Sequence, residues 1–177
     1  MTSKHLDTDK IKKELLSFTK ESVSQFLKAN GDLTFYAFGF DCNADYAEVN
    51  LCFNTEISFE KTLRSYQSGE YAEHYQSEES INELKYNFGD WEYQCFATTY
   101  VLTDDESADI YGDDIEKQAD DLMKLFCDVL LDFMFTEEYS NIPKTENFKV
   151  LCCDHDEPIE DSELRLSKIK HLRNNGY

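Results

Sequence analysis

The chain has 177 residues, with 17 Lys and Arg against 37 Asp and Glu, a formal charge of minus 20 at neutral pH. That charge excludes a nucleic-acid binder of the usual kind, whose affinity comes from cations that displace counterions from phosphates, and it makes a basic protein the expected partner. Hydrophobic residues at 41% and aromatics at 14% exclude a disordered acidic tail.

No apolar run approaches the roughly 20 residues that span a bilayer, and the first residues lack the continuous apolar stretch of an export signal. A soluble, cytoplasmic protein without membrane contact is therefore expected. The six cysteines, Cys42, Cys52, Cys95, Cys127, Cys152 and Cys153, each sit in an apolar or aromatic stretch, which predicts reduced, buried thiols rather than disulfides.

Residues 7–29 place Ile11, Leu15, Phe18, Ser22, Phe26 and Ala29 at helical spacing, with Asp7, Thr8 or Asp9 to cap the start and Asn30-Gly31 to stop it. Residues 33–40 are aromatic and apolar on both alternate faces, the pattern of an interior strand covered on both sides. After a turn over 41–45, Ala47, Val49, Leu51 and Phe53 alternate with Tyr46, Glu48, Asn50 and Cys52, so the two segments form an antiparallel hairpin.

Asn54 or Thr55 caps a short helix through Tyr66, with Ile57, Thr62, Leu63 and Tyr66 on one side. Residues 67–82 read as a surface loop or loose helix holding Tyr71, His74 and Tyr75. A turn falls at 87–90, the period of 91–96 fits strand or helix equally, and 97–102 is extended.

Residues 104–121 then hold nine acids against the single base Lys117. They lead into a helix over 113–138, in which Ile115, Ala119, Leu122, Phe126, Val129 and Phe133 recur at alternating intervals of four and three. Acids at a helix start complement its positive end, so part of this cluster is ordinary capping. A strand over 148–152, an acidic loop over 154–161 and a helical tail from Leu164 complete the chain. The expected fold is a single α+β domain over 1–177, a mainly antiparallel sheet with the N-terminal helix and the 113–138 helix packed on it.

Charge is unevenly placed. Residues 1–30 sum to plus 2, residues 164–177 to plus 4, and the middle to minus 26. Such a field attracts cations and speeds association with a basic partner, although a solvated acidic surface accounts for it as readily. Phosphate loops, nucleophile elbows and zinc-helix motifs are missing, and no cofactor is implied. Cys152, Cys153 and His155 suggest a metal site, and Cys153 with His155 a nucleophile pair, but neighbours on a strand face opposite ways. Trp91, beside Tyr93 and Phe96, is either core or the wall of a pocket.

The segments FYAFGFDCNADYAEVNLCFNTE (35–56) and LKYNFGDWEY (84–93) resemble a bacterial family of uncharacterised domains, whose members look like the immunity proteins encoded beside polymorphic or contact-dependent toxins. The resemblance specifies fold and implies no catalytic residues. It implies a non-enzymatic protein that binds a basic toxin domain, a nuclease, and fills its cleft with carboxylates. The expected contact residues are Asp104, Asp105, Glu106, Asp109, Tyr111, Asp113 and Asp114, with Tyr71, Tyr75, Glu78 and Glu79 as a second patch. Two other readings are a carboxylate and metal enzyme built on 104–121 and an acidic mimic of DNA.

Overall fold

The computed structural model describes residues 5–155 and 157–175. Met1 to Lys4, which bear on the export-signal reading, Asp156 of the acidic loop and the last two residues lie outside it. Four strands, β1 (Phe35–Asn43), β2 (Glu48–Asn54), β3 (Tyr93–Tyr100) and β4 (Lys144–Asp154), form one sheet in the order β3-β2-β1-β4. Both β1/β2 and β2/β3 are antiparallel, while β1/β4 is parallel, with Phe40 opposite Cys152 and Asp41 opposite Cys153. The architecture is α+β, mainly antiparallel.

Helix α1 (Thr8–Ala29) starts where the Asp7 carboxylate accepts the Lys10 N–H. It buries Ile11, Leu15, Thr19 and Val23, a stripe of strict four-residue steps rotated from the predicted one, so Ala29 is exposed. Thr19 satisfies its buried hydroxyl by donating to the Leu15 carbonyl at 2.8 Å. Helices α2 (Glu56–Ser68), α3 (Glu78–Tyr86) and α4 (Asp104–Tyr111) follow. The strongest periodicity becomes α5 (Ile115–Phe133), shorter at both ends than predicted, which buries Leu122, Phe126, Val129 and Phe133. Ile115 stays 55% exposed, and the chain after Met134 forms the separate one-turn α6 (Glu137–Ser140).

The sheet is covered on both faces. Helices α1 and α5 enclose one face with Phe35, Phe38, Phe40, Val49, Leu51 and Phe53. On the other face α2 and α3 contribute Phe59 and Leu84, packed with Tyr36, Trp91 and Leu151. Phe59 anchors α2 in place of the predicted Ile57, which points to solvent at 79% exposure. Burial on both faces is what the continuous apolar run of β1 requires.

Strand β4 is an edge, and α7 (Ile159–Asn174) closes it. The buried Ser162 hydroxyl accepts the Cys152 N–H at 3.2 Å and donates to the Cys152 carbonyl at 2.9 Å, so one side chain saturates a residue of the exposed ladder. Arg165 donates to the same carbonyl at 3.3 Å and pairs with Glu157. The helix begins at Ile159, five residues before the predicted start.

Candidate functional site

The acidic end of the molecule is built by α4 and the first turns of α5. Thr103 closes a capping box: its hydroxyl accepts the Glu106 N–H at 3.2 Å, and the Glu106 carboxylate accepts the Thr103 N–H at 2.9 Å. This fixes Asp104, Asp105 and Glu106 in the first helical turn, where the positive end of the helix favours carboxylates. Gly112, at φ +60°, reverses the chain, and Asp114 caps α5 by accepting the Lys117 N–H at 3.1 Å.

Asp104, Asp105, Asp113 and Asp114 are exposed and form no ion pair among the described residues. Further along α5, Lys117 pairs with Asp121 and Lys124 with Asp120. The basic tail reaches elsewhere: Arg173 binds Asp128 and Asp132, while Arg165 binds Glu157. These two arginines therefore do not neutralise Asp104, Asp105, Asp113 or Asp114.

Tyr111 lies apart from its acidic neighbours. It is only 9% exposed, within the cluster under α1 and α5, and the Lys117 ammonium stands 5.5 Å from its ring centroid. Burial first, then the Asp121 carboxylate, pushes its phenol up to about 12. Two other tyrosines occupy the surface here. Tyr46, on the 3-10 turn Ala44–Tyr46, is 65% exposed, and Tyr100, at the end of β3, is 63% exposed. Gln118 of α5 donates to the Ala44 and Asp45 carbonyls at 3.1 and 2.9 Å, which docks that turn on the start of α5. Tyr100 donates to Glu48 at 3.1 Å and lines a shallow groove with Lys10, Asp104 and Glu106. Composition around 104–114 could not reveal either tyrosine, because Tyr46 comes from the turn between β1 and β2 and Tyr100 from the end of β3.

The second predicted patch divides. Tyr75 is half-buried, with its ring 5.0 Å from that of Tyr66, and its carbonyl accepts the Gln67 amide at 2.8 Å. Tyr71 remains exposed, and Glu78 and Glu79 occupy the first turn of α3 behind the Ser77 cap. Trp91 belongs to the core: it is buried, and its indole N–H donates to the Lys85 carbonyl at 2.9 Å.

A cleft of about 240 Å³ opens over the carboxyl ends of β1 and β4, lined by Asp41, Phe88, Gln94, Cys153, His155 and Glu157 among others. Cys152 and Cys153 point to opposite faces, as their adjacency predicts. Burial pushes the Cys153 thiol up to about 12, the reverse of an activated nucleophile. Beside the cleft, the Asp41 carboxylate and the Cys52 and Cys95 thiols lie within 4.8 Å of one another. Cys52 is fully buried, whereas Cys95 is exposed, contrary to the expectation that all six thiols are buried. The Cys95 N–H donates to the Cys52 sulfur at 3.1 Å. The Cys95 thiol is drawn below its ordinary value by the thiol of Cys52, which the same contact and burial raise. Spacing gave no sign of this group, because its members come from three different strands.

Fold and site thus define a small α+β domain with an exposed acidic end and a cleft over the carboxyl ends of β1 and β4. The chain belongs to the family described as a domain of unknown function (DUF4303), whose model matches residues 15–174. No curated protein and no solved structure matches it. Among the described residues no helix is long and apolar enough to cross a membrane.

Proposed function

We propose that this protein is an immunity protein, which neutralises a basic toxin domain, a nuclease, by covering its substrate cleft with the acidic end. The observation that carries this reading is the set of exposed carboxylates Asp104, Asp105, Asp113 and Asp114, none of which forms an ion pair among the described residues, while Arg165 and Arg173 of the basic tail pair with Glu157, Asp128 and Asp132. A cationic cleft shaped for phosphates accepts carboxylates at the same donors, with charge-assisted hydrogen bonds and no chemistry. The exposed rings of Tyr46 and Tyr100 supply the aromatic area that carboxylates lack, since charge sets the encounter while buried aromatic anchors hold the complex. An interface of roughly 800 Å² per partner spans such an end.

The test is co-expression with the protein encoded beside this chain, followed by co-elution and nuclease assay of the pair. A one-to-one complex that blocks nuclease activity, and whose association slows steeply between low and physiological salt, is expected. Uninhibited nuclease in the presence of excess protein overturns the reading.

A further inference from the structure

We propose that Asp41, Cys52 and Cys95 form a binding site for one thiophilic divalent cation of the zinc class. Their donor atoms lie within 4.8 Å of one another. Two sulfurs and one carboxylate oxygen on a tetrahedral zinc ion, at roughly 2.3 Å and 2.0–2.2 Å, stand about 3.5–3.8 Å apart. No pair of donor atoms stands more than about 1.3 Å beyond that spacing.

The backbone favours the same arrangement. Between the pairs Leu51–Ala97 and Phe53–Tyr93 the β2/β3 register shifts, leaving Cys52 alone against the bulged segment of β3. Cys95 adopts φ +48° at this bulge, a conformation unfavourable for a residue with a Cβ. Asp41 arrives from the far side, on β1. Two thiols offered with a carboxylate suit a borderline-soft cation better than magnesium or calcium, which require oxygen donors throughout. Cys52 supplies a buried wall and exposed Cys95 an entry. Three protein ligands leave a fourth position for water or a small ligand, the pattern of an open rather than a closed zinc site. The site is independent of the acidic end and stands or falls apart from it.

The test uses the full chain, stripped of metal under reductant and titrated with cobalt(II). A sulfur-to-cobalt charge-transfer band that saturates at one ion per chain is expected, as is its displacement by zinc. Cys95→Ser and Asp41→Asn should each abolish saturable binding while leaving the circular dichroism unchanged, and Cys42→Ser, in the opposite face of the sheet, should retain it. No band, or a band that survives both Cys95→Ser and Asp41→Asn, overturns the proposal. So does recovery of the chain from anaerobic, reductant-free preparation with a Cys52–Cys95 disulfide and no affinity for cobalt after reduction.

Discussion

Phe88 occupies the space in which a side chain on Gly39 would begin: a Cβ there would lie 2.4 Å from the Phe88 Cζ and 3.1 Å from the Leu151 carbonyl. The ring has little freedom to withdraw, since it is buried and its centroid lies 4.5 Å from that of Trp91. Gly39→Ala is therefore expected to destabilise the fold by about 1–3 kcal/mol, the usual cost of forcing an extra carbon into a packed core. Gly89→Ala, where the nearest atom is the Asn87 side-chain oxygen at 3.5 Å, should be close to neutral. Urea midpoints of the two variants measure the difference, and equal midpoints would contradict the packing argument.

Ser162 is the second point where one small group carries a structural burden. Its hydroxyl serves both polar groups of Cys152 on an edge strand, and it is wholly buried. Ser162→Ala leaves the N–H without a partner, and the Cys152 carbonyl keeps only the long contact from Arg165. A loss of about 1–3 kcal/mol follows from the stranded buried donor. Hydrogen exchange should show faster exchange of the Cys152 amide, with β2 amides unaffected below the global unfolding limit.

Buried phenols contribute to the alkaline limit of stability. Burial raises both Tyr111, to about 12, and Tyr36 above the ordinary value of 10. The fold thus favours the protonated phenols more than the unfolded chain does. Their stabilisation is complete below pH 10 and is lost as pH climbs through the raised values. Ionised Tyr36 would also cease to donate to the Lys85 carbonyl, the group that Trp91 shares. The buried thiols Cys42 and Cys153, raised to about 11 and about 12 from an ordinary value of 9, add to this, so the melting temperature should begin to fall above about pH 9 and fall more steeply above about 10. Tyr36→Phe should flatten part of that fall; an unchanged alkaline profile in this variant would assign the loss to other groups.

What the sequence revealed depended on how far each signal extended. The four-and-three spacing from Leu122 to Phe133 and the alternation from Val49 to Phe53 persist over enough residues to fix α5 and β2. Both faces of β1 are apolar, and that also proved readable. Short elements failed where one residue decides the face: α2 is anchored by Phe59, and Ile57, equally apolar, faces water. Strand β3 lost its period at the Cys95 bulge, so 91–96 read as either class. Helix α7 hides its start because its buried contact is the polar Ser162 and not an apolar stripe. The acidic end was legible as charge, but its exposed tyrosines were not: Tyr46 lies 58 positions before Asp104 and reaches it only through the fold, and the exposure of Tyr100 depends on where β3 ends. The trio of Asp41, Cys52 and Cys95 was invisible for the same reason.

If the acidic end is the docking surface, its carboxylates and its tyrosines should fail in kinetically different ways. Asp104 and Asp105 stand in the first turn of α4, so replacing both with Asn removes charge while keeping shape and leaving the Thr103–Glu106 capping box in place. Long-range attraction governs encounter, so the double variant should associate with the basic toxin domain about tenfold or more slowly at low salt, converging on the parent as salt screens the field. Tyr100→Ala removes exposed area that acts only after contact, so it should raise the dissociation rate and leave association nearly unchanged. Thr103→Ala provides the control for helix integrity, with an expected stability loss of about 1 kcal/mol through the missing cap. Surface plasmon resonance on the three proteins across a salt series separates these effects. Should the Asn pair change only dissociation, or Tyr100→Ala only association, the division of labour between charge and aromatic area would be wrong even if the complex itself forms.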